Sequence, residues 1–390
     1  MPHDKQRRYI IVIIILAVII KLSLFLFASI SASQGKFLPD SHGYLRLAAT
    51  LASKGVFAAQ NENGALVYET FRTPGYPLFL AALNGLMRIP LDGVIFLQII
   101  MTLLAAFITY KTALEIDQRI ALLSMAIILF DPPITIFSLT ILTEVLFLFL
   151  ISLFMLCFTL YLKHRKIGFI ISSALILAAA TYVRPISYYL GFAVSFFILY
   201  ADRKEKLKKA FAHAFIFLLT VYSLLGAWQV RNYVRCNNIV FSSVEHSNLS
   251  GMGLLKSYIR NTDPYTKNLT PLPYYINVSF RCLMSLMTRP GNLKYFHSEL
   301  LTMAGKILAY PWMIFWITGF IWGVTKIRRN IYFQFMLFAT LYFIAVSIGG
   351  AMWVVGERFR VPIMPFLAII SAYGWINLIS LIKKNDQYNT

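Results

Sequence analysis

The sequence predicts an all-α polytopic membrane protein, a bundle of about ten transmembrane helices with interfacial helices in its first outer loop. Three observations carry this. Of 390 residues, 58% are hydrophobic and 15% aromatic while only 13% are charged, against about 25% charged in an ordinary soluble domain. The mean hydropathy of +0.68 leaves more apolar surface than a soluble core can hide. Apolar runs near the ~20 residues that a bilayer core demands alternate with short basic segments.

Taken in order, crossings fall at 9–30, 93–112, 119–138, 142–162, 167–183, 187–201, 210–230, 303–325, 331–350 and 361–382. The first run is too long for a signal-peptide core and no small-residue cleavage site follows it, so it reads as an uncleaved helix. With the N-terminus inside, every short cytoplasmic segment is basic: Lys5/Arg7/Arg8, Lys111/Arg119, Lys163/Arg165/Lys166, the run from Arg203 to Lys209, Lys326/Arg328/Arg329 and Lys383/Lys384. Orientation by Lys and Arg produces this pattern and accounts for the formal charge of +20 without nucleic acid. Both termini are then cytoplasmic. The apolar stretch 75–89 is too short to span, and counting it as a crossing would put every later basic cluster outside, so it reads as an interfacial or re-entrant helix.

The chain organises as a module over 1–235 with a first outer loop at 31–92, an acceptor-facing outer region over 236–302, and C-terminal helices over 303–390. Cytoplasmic loops are too short to house a catalytic domain, which assigns chemistry to the outer face. No internal repeat is visible, which weakens a transporter reading. Cys157 lies in an apolar run; pairing of Cys236 with Cys282 is left open. Asn248, Asn268 and Asn277 stand in N-x-S/T triplets, which matter only in a eukaryotic lumen.

Outer-face groups cluster at predicted helix ends. Asp40 precedes an amphipathic pattern of Tyr44, Leu47, Ala48 and Leu51, where it reads as an N-cap, as a carboxylate at the membrane surface, or as both. Arg72 is followed by Thr73-Pro74-Gly75-Tyr76-Pro77, a rigid turn that holds a guanidinium at headgroup depth, to snorkel or to clamp a phosphate. Asp131-Pro132-Pro133 breaks the third crossing, and Asp131 reads as a turn residue or a functional acid. Glu144 opens the fourth crossing, where an ionisable group is costly and functional by default. Arg184-Pro185, Arg231-Asn232 and Glu357-Arg358-Phe359-Arg360-Val361-Pro362 bring further guanidinium groups to the same leaflet. Several arginines with few acids suggest an anionic site. HExxH, CxxC, GxGxxG and P-loop patterns are absent, and the six histidines are scattered.

Asp40…Tyr44, Arg72-x-Pro-Gly-Tyr-Pro, Asp131-Pro-Pro, Thr143-Glu144, Arg184-Pro185, Arg231-Asn232 and Glu357-Arg358-x-Arg360-x-Pro362, in this order, resemble the GT-C superfamily of membrane glycosyltransferases. The resemblance is nearest to the bacterial branch related to protein O-mannosyltransferases and lipid A aminoarabinose transferases. It implies a donor sugar on a polyprenyl phosphate, an outer-face site and transfer with inversion. It implies that Asp40 is the general base and that Tyr44 and Arg72 lie near the donor phosphate. The first loop departs from the paired acidic motif of metal-using oligosaccharyl transferases. A divalent cation (Mg or Mn) is thus optional, with Asp40 and Glu144 as its ligands if one binds.

Inverting transfer needs one carboxylate to deprotonate the acceptor. A phosphate leaving group replaces the second carboxyl group of a glycoside hydrolase with fixed positive charge. The expectation is an inverting glycosyltransferase of the bacterial inner membrane, with an undecaprenyl-type donor and a glycan, lipid or protein acceptor. Arg72, Arg184, Arg231, Arg358 and Arg360 form the phosphate-binding set. Asp131 and Glu144 orient acceptor, sugar or cation. Tyr258, Tyr265, Tyr274 and Tyr275 mark an acceptor-facing lid. The alternatives are a lipid-linked glycan flippase or a polysaccharide polymerase. A flippase needs charge along a path through the bilayer, and Lys21 is the clearest ionisable residue within a crossing.

Overall fold

In hydrocarbon a backbone must satisfy its own hydrogen bonds, so apolar runs become helices. The computed structural model describes residues 3–31, 33–203, 207–244, 271–291, 299–327, 330–351 and 356–388. Helix α1 (His3–Ser31) leads into a loop carrying α2 (Pro39–Lys54), the antiparallel pair β1 (Ala58–Gln60) and β2 (Leu66–Tyr68), and α3 (Gly75–Leu80). Then follow α4 (Leu91–Ile116), α5 (Ala121–Leu129), α6 (Pro132–Ser138), α7 (Glu144–His164), α8 (Ile167–Val183), α9 (Leu190–Asp202) and α10 (Leu207–Cys236). The remainder comprises α11 (Pro271–Thr288), α12 (Glu299–Lys326), α13 (Ile331–Ala351), the four-residue α14 (Glu357–Arg360) and α15 (Met364–Tyr388).

Among the described residues, seven helices are long and apolar enough to cross a membrane: α1, α4, α7, α10, α12, α13 and the span running from α14 through α15. The expected third crossing is broken, with α5 and α6 meeting at 54°. Asp131-Pro132-Pro133 explains the bend, because proline lacks the donor that would continue α5. The expected crossings at 167–183 and 187–201 are present as shorter apolar helices. The stretch after Pro74 is a short apolar helix whose second half, Ala81–Leu86, is a π-helical turn.

Helix α7 packs between α4 and α8, and α10 lies against α8 and α9. On the other side α15 runs along α12, where Gly374 meets Gly319 and Gly323 and lets the two backbones approach closely. Helix α11 lies across α12, α13 and α14. It buries Val278, Cys282 and Leu286 and exposes Ile276, Phe280 and Met284, so its two opposite faces are both apolar. Tyr258 and Tyr265 lie outside the described residues, and Cys157, Cys236 and Cys282 form no disulfide.

Candidate active site

One end of the bundle gathers the charged residues that open helices or interrupt them. Asp40 sits in the first turn of α2, where it does not cap the helix. The cap is made by Ser41, whose Oγ accepts from the Leu38 amide and donates to the Ile141 carbonyl 2.8 Å away. Asp40 is thereby spared from the backbone, correcting the N-cap expectation, and 40% of its side chain remains exposed. A further tie places α2: the amide of Ile141 donates to the Lys36 carbonyl, and Lys36 itself pairs with Asp92 at 2.6 Å.

Arg358 reaches this carboxylate from the other end of the chain. Its Nη1 donates to Asp40 Oδ2 at 2.8 Å, and its Nε donates to Glu144 Oε1. Arg184 Nη1 donates to the same Glu144 oxygen at 2.8 Å. Glu144 is fully buried at the start of α7. A buried carboxylate is tolerated only when paired and hydrogen-bonded, and two guanidinium groups meet that need. Glu144 is therefore the counter-ion of two arginines. Both arginines donate to Oε1, while Oε2 accepts from the Thr143 hydroxyl at 3.4 Å.

Arg72 completes the cluster. Its guanidinium lies 3.9 Å from Asp40 Oδ1, 3.9 Å from Glu69 Oε2 and over the rings of Tyr44 and Phe71. Glu69, which no motif singles out, accepts from the amide of Phe71 at 2.6 Å and so shapes the turn before Arg72. Gly43 leaves room for the guanidinium, because a Cβ there would stand 2.5 Å from Arg72 Cζ. Gly75 lets the turn press on the backbone of Tyr182, and the Thr73 hydroxyl donates to the Val183 carbonyl at 3.1 Å. The Thr73-to-Tyr76 turn is thus docked on the end of α8, next to Arg184.

Tyr44 packs edge-on against Tyr76, and the Tyr76 hydroxyl donates to Gln98 at 2.8 Å. Burial, then the nearby charges of Glu144 and Asp40, push the Tyr44 phenol above its ordinary pKa of 10.0. Tyr44 stays neutral at physiological pH and serves as an aromatic wall.

The structure separates the other expected residues from this cluster. Arg231 donates to the carbonyls of Glu69 (2.9 Å) and Phe57 (2.6 Å) and stacks among Trp228, Phe57 and Tyr68. It holds the β1–β2 loop in place with Asn232, whose amide donates to the Val240 carbonyl at 2.9 Å. Arg360 is fully buried and turns away from Arg358, donating to the carbonyls of Leu286 and Met287 at the end of α11. Asp131 caps α6 through the amide of Ile134 at 3.1 Å, and its charged neighbours are Arg360 and Lys21. Lys21 donates to Thr135 at 2.8 Å. The spacing gave a signal for the split, since residues two apart on a helix project to nearly opposite sides.

Among the described residues no group of three His, Cys, Asp or Glu side chains is placed to hold a metal. Asp40 and Glu144, the two acids expected to hold an optional cation, are instead bridged by Arg358.

A family model described as dolichyl-phosphate-mannose-protein mannosyltransferase matches residues 72–228. No curated protein matches the chain by sequence. Among solved structures, the archaeal oligosaccharyltransferase AglB from Archaeoglobus fulgidus, in complex with an inhibitory peptide and a dolichol-phosphate, superposes with a TM-score of 0.61 at 13% identity, over 98% of this chain and 51% of that one. ArnT from Cupriavidus metallidurans gives 0.56 in the apo state at 13% identity, over 93% of this chain and 59% of that one. Its structure bound to undecaprenyl phosphate gives 0.56 at 14% identity with the same coverage. The chain therefore shares the GT-C-type helical fold of these neighbours and spans only 51–59% of their length.

Proposed function

We propose that the protein is an inverting glycosyltransferase that moves a sugar from an undecaprenyl-type phosphate donor to an acceptor at the outer face of a bacterial inner membrane. One observation carries it: a half-exposed carboxylate, Asp40, is held by Arg358 and flanked by Arg72 where α2, α7, α8 and α14 meet. In the reaction Asp40 takes the acceptor proton as the acceptor oxygen or nitrogen bonds to the anomeric carbon. The bond from that carbon to the phosphate oxygen breaks, and its electron pair leaves on polyprenyl phosphate. Arg72, Arg358 and Arg184 stabilise the charge developing there, as preorganised donors do best in a site sheltered from water.

Similarity to ArnT, solved with undecaprenyl phosphate, and to AglB, solved with dolichol-phosphate, supports a lipid-phosphate donor. The test is to incubate purified protein with a panel of polyprenyl-phosphate sugars and candidate acceptors and follow free polyprenyl phosphate. Sugar-dependent release should fall about 10²- to 10⁴-fold in Asp40→Asn, the usual contribution of a general base. Full activity in that variant rejects the assignment.

A further inference from the structure

Six side chains form the charged cluster: Arg72, Arg184 and Arg358 against Asp40, Glu69 and Glu144. Their formal charges cancel; Arg72 stands 3.9 Å from both of its acids, whereas Arg184 and Arg358 donate to carboxylates, so a phosphate that draws on either of those two must take it from an acid. Burial decides which pair yields. Glu144 has no exposed surface, and stripping it of either arginine halves the pairing of a charge that water cannot reach. Asp40 keeps 40% of its side chain in contact with solvent, and water can replace its lost partner.

Arg358 is built for that exchange. Its Nε is fixed on Glu144, its Nη1 is on Asp40, and its Nη2 makes no hydrogen bond among the described residues. Swinging about the Nε contact would present Nη1 and Nη2 together, the fork that matches two oxygens of a phosphate. The backbone beneath it is pinned, because Arg360, two residues on, is buried and tied to the carbonyls ending α11. The motion is confined to one side chain.

We infer that Arg358 is a latch on Asp40 that the donor phosphate opens, with Glu144 as the positioning residue on which it pivots. This rests on the glycosyltransferase reading above. While unliganded, Asp40 has Oδ2 committed to Arg358 and Oδ1 3.9 Å from Arg72, so an acceptor proton meets a carboxylate with a guanidinium beside each oxygen. Phosphate binding draws Arg358 away and releases the base, so donor must bind before acceptor. The base therefore stays masked until a donor is seated.

The consequence is measurable without catalysis. Asp40 and phosphate compete for one guanidinium, so removing the carboxylate's charge should tighten phosphate binding. Undecaprenyl phosphate is titrated in detergent against wild type, Asp40→Asn, Arg358→Lys and the double variant, each checked for a cooperative thermal transition. Lysine keeps a counter-charge for Glu144 but has no fork to bridge both acids. The expected result is about tenfold tighter binding in Asp40→Asn, within the usual range of coupling between sites. That gain should shrink below about twofold in the Arg358→Lys background. An equal gain in both backgrounds means simple charge repulsion and overturns the latch, as does unchanged or weaker binding in Asp40→Asn. Failure of every form, wild type included, to bind undecaprenyl phosphate rejects the donor class itself.

Discussion

Gly43 lies directly beneath the guanidinium of Arg72, so that a single methyl group at position 43 would fall 2.5 Å from Cζ. Glycine is required there by contact, because its backbone is ordinary helix within α2. Gly43→Ala should displace Arg72 while leaving the helix intact, since alanine favours helix over glycine. A 1 Å misplacement in a site can cost about 10²-fold. The expected outcome is a fall of about 10- to 100-fold in kcat/KM for the donor with an unchanged thermal midpoint, read by steady-state kinetics beside a melting curve.

Glu144→Gln tests the counter-ion role. Glutamine keeps the shape but leaves Arg184 and Arg358 without their shared negative charge. Breaking a buried pair from one side costs about 3–5 kcal/mol, so thermal unfolding in detergent should fall measurably. In a Glu144→Gln, Arg184→Gln double variant the loss should be smaller than the sum of the two single losses, because contacting residues do not act additively. Additive losses would separate Glu144 from Arg184.

Arg231→Lys should act on the loop and spare the phosphate. Lysine cannot span the two carbonyls of Glu69 and Phe57 or stack flat on Trp228. Loss of two such hydrogen bonds amounts to about 1–3 kcal/mol of local stability. Amide exchange over 55–72 should accelerate while affinity for polyprenyl phosphate changes less than it does in Arg72→Ala. A larger affinity loss in Arg231→Lys than in Arg72→Ala would return Arg231 to the phosphate site.

Tyr44→Phe keeps the ring beneath Arg72 and removes a phenol whose pKa is pushed above 10.0. A raised phenol stays protonated at lower pH and titrates only above its ordinary value. The pH–rate profile should therefore keep its shape below about pH 9, with activity within about threefold of wild type, since a face-on cation contact is worth about 0.5–1 kcal/mol. A profile that loses an ionisation in Tyr44→Phe would give Tyr44 an acid–base role.

Chelation should leave activity intact. Asp40 and Glu144 both accept from Arg358, so a divalent cation would enter a site where a guanidinium already bridges the two acids. Activity measured with and without EDTA should agree within about twofold, because bound arginine already supplies the positive charge that a metal would bring. Abolition by EDTA and rescue by Mg²⁺ would place a cation in the site.

The backbone was largely legible because bilayer length and the basic loops constrain it at every crossing. Asp40, Arg72, Arg184 and Arg358 were each visible as charges flanking an apolar run, and the structure brings all four together. What a helix-end rule cannot supply is direction. Arg358 and Arg360 look equivalent in sequence, yet one faces Asp40 and the other supports α11. Arg231 lies at a helix end as Arg184 does, but its partners are carbonyls from a loop more than 160 residues earlier. Glu144 stands out as a costly charge at its depth, but its two partners, 40 and 214 residues away, are not readable from local spacing. Gly43 and Glu69 escaped because their roles are a missing methyl group and a turn contact.

The bond between Asp40 and Arg358 joins residues 318 positions apart. On the ribosome, α2 emerges long before α14 exists, so the nascent chain carries Asp40 without its arginine partner while the remaining helices are made. Completion falls to the final hairpin of α13 through α15. Synthesis and activity are thereby separated in time: a chain stalled or clipped before residue 358 has most of the membrane bundle and none of the finished catalytic centre.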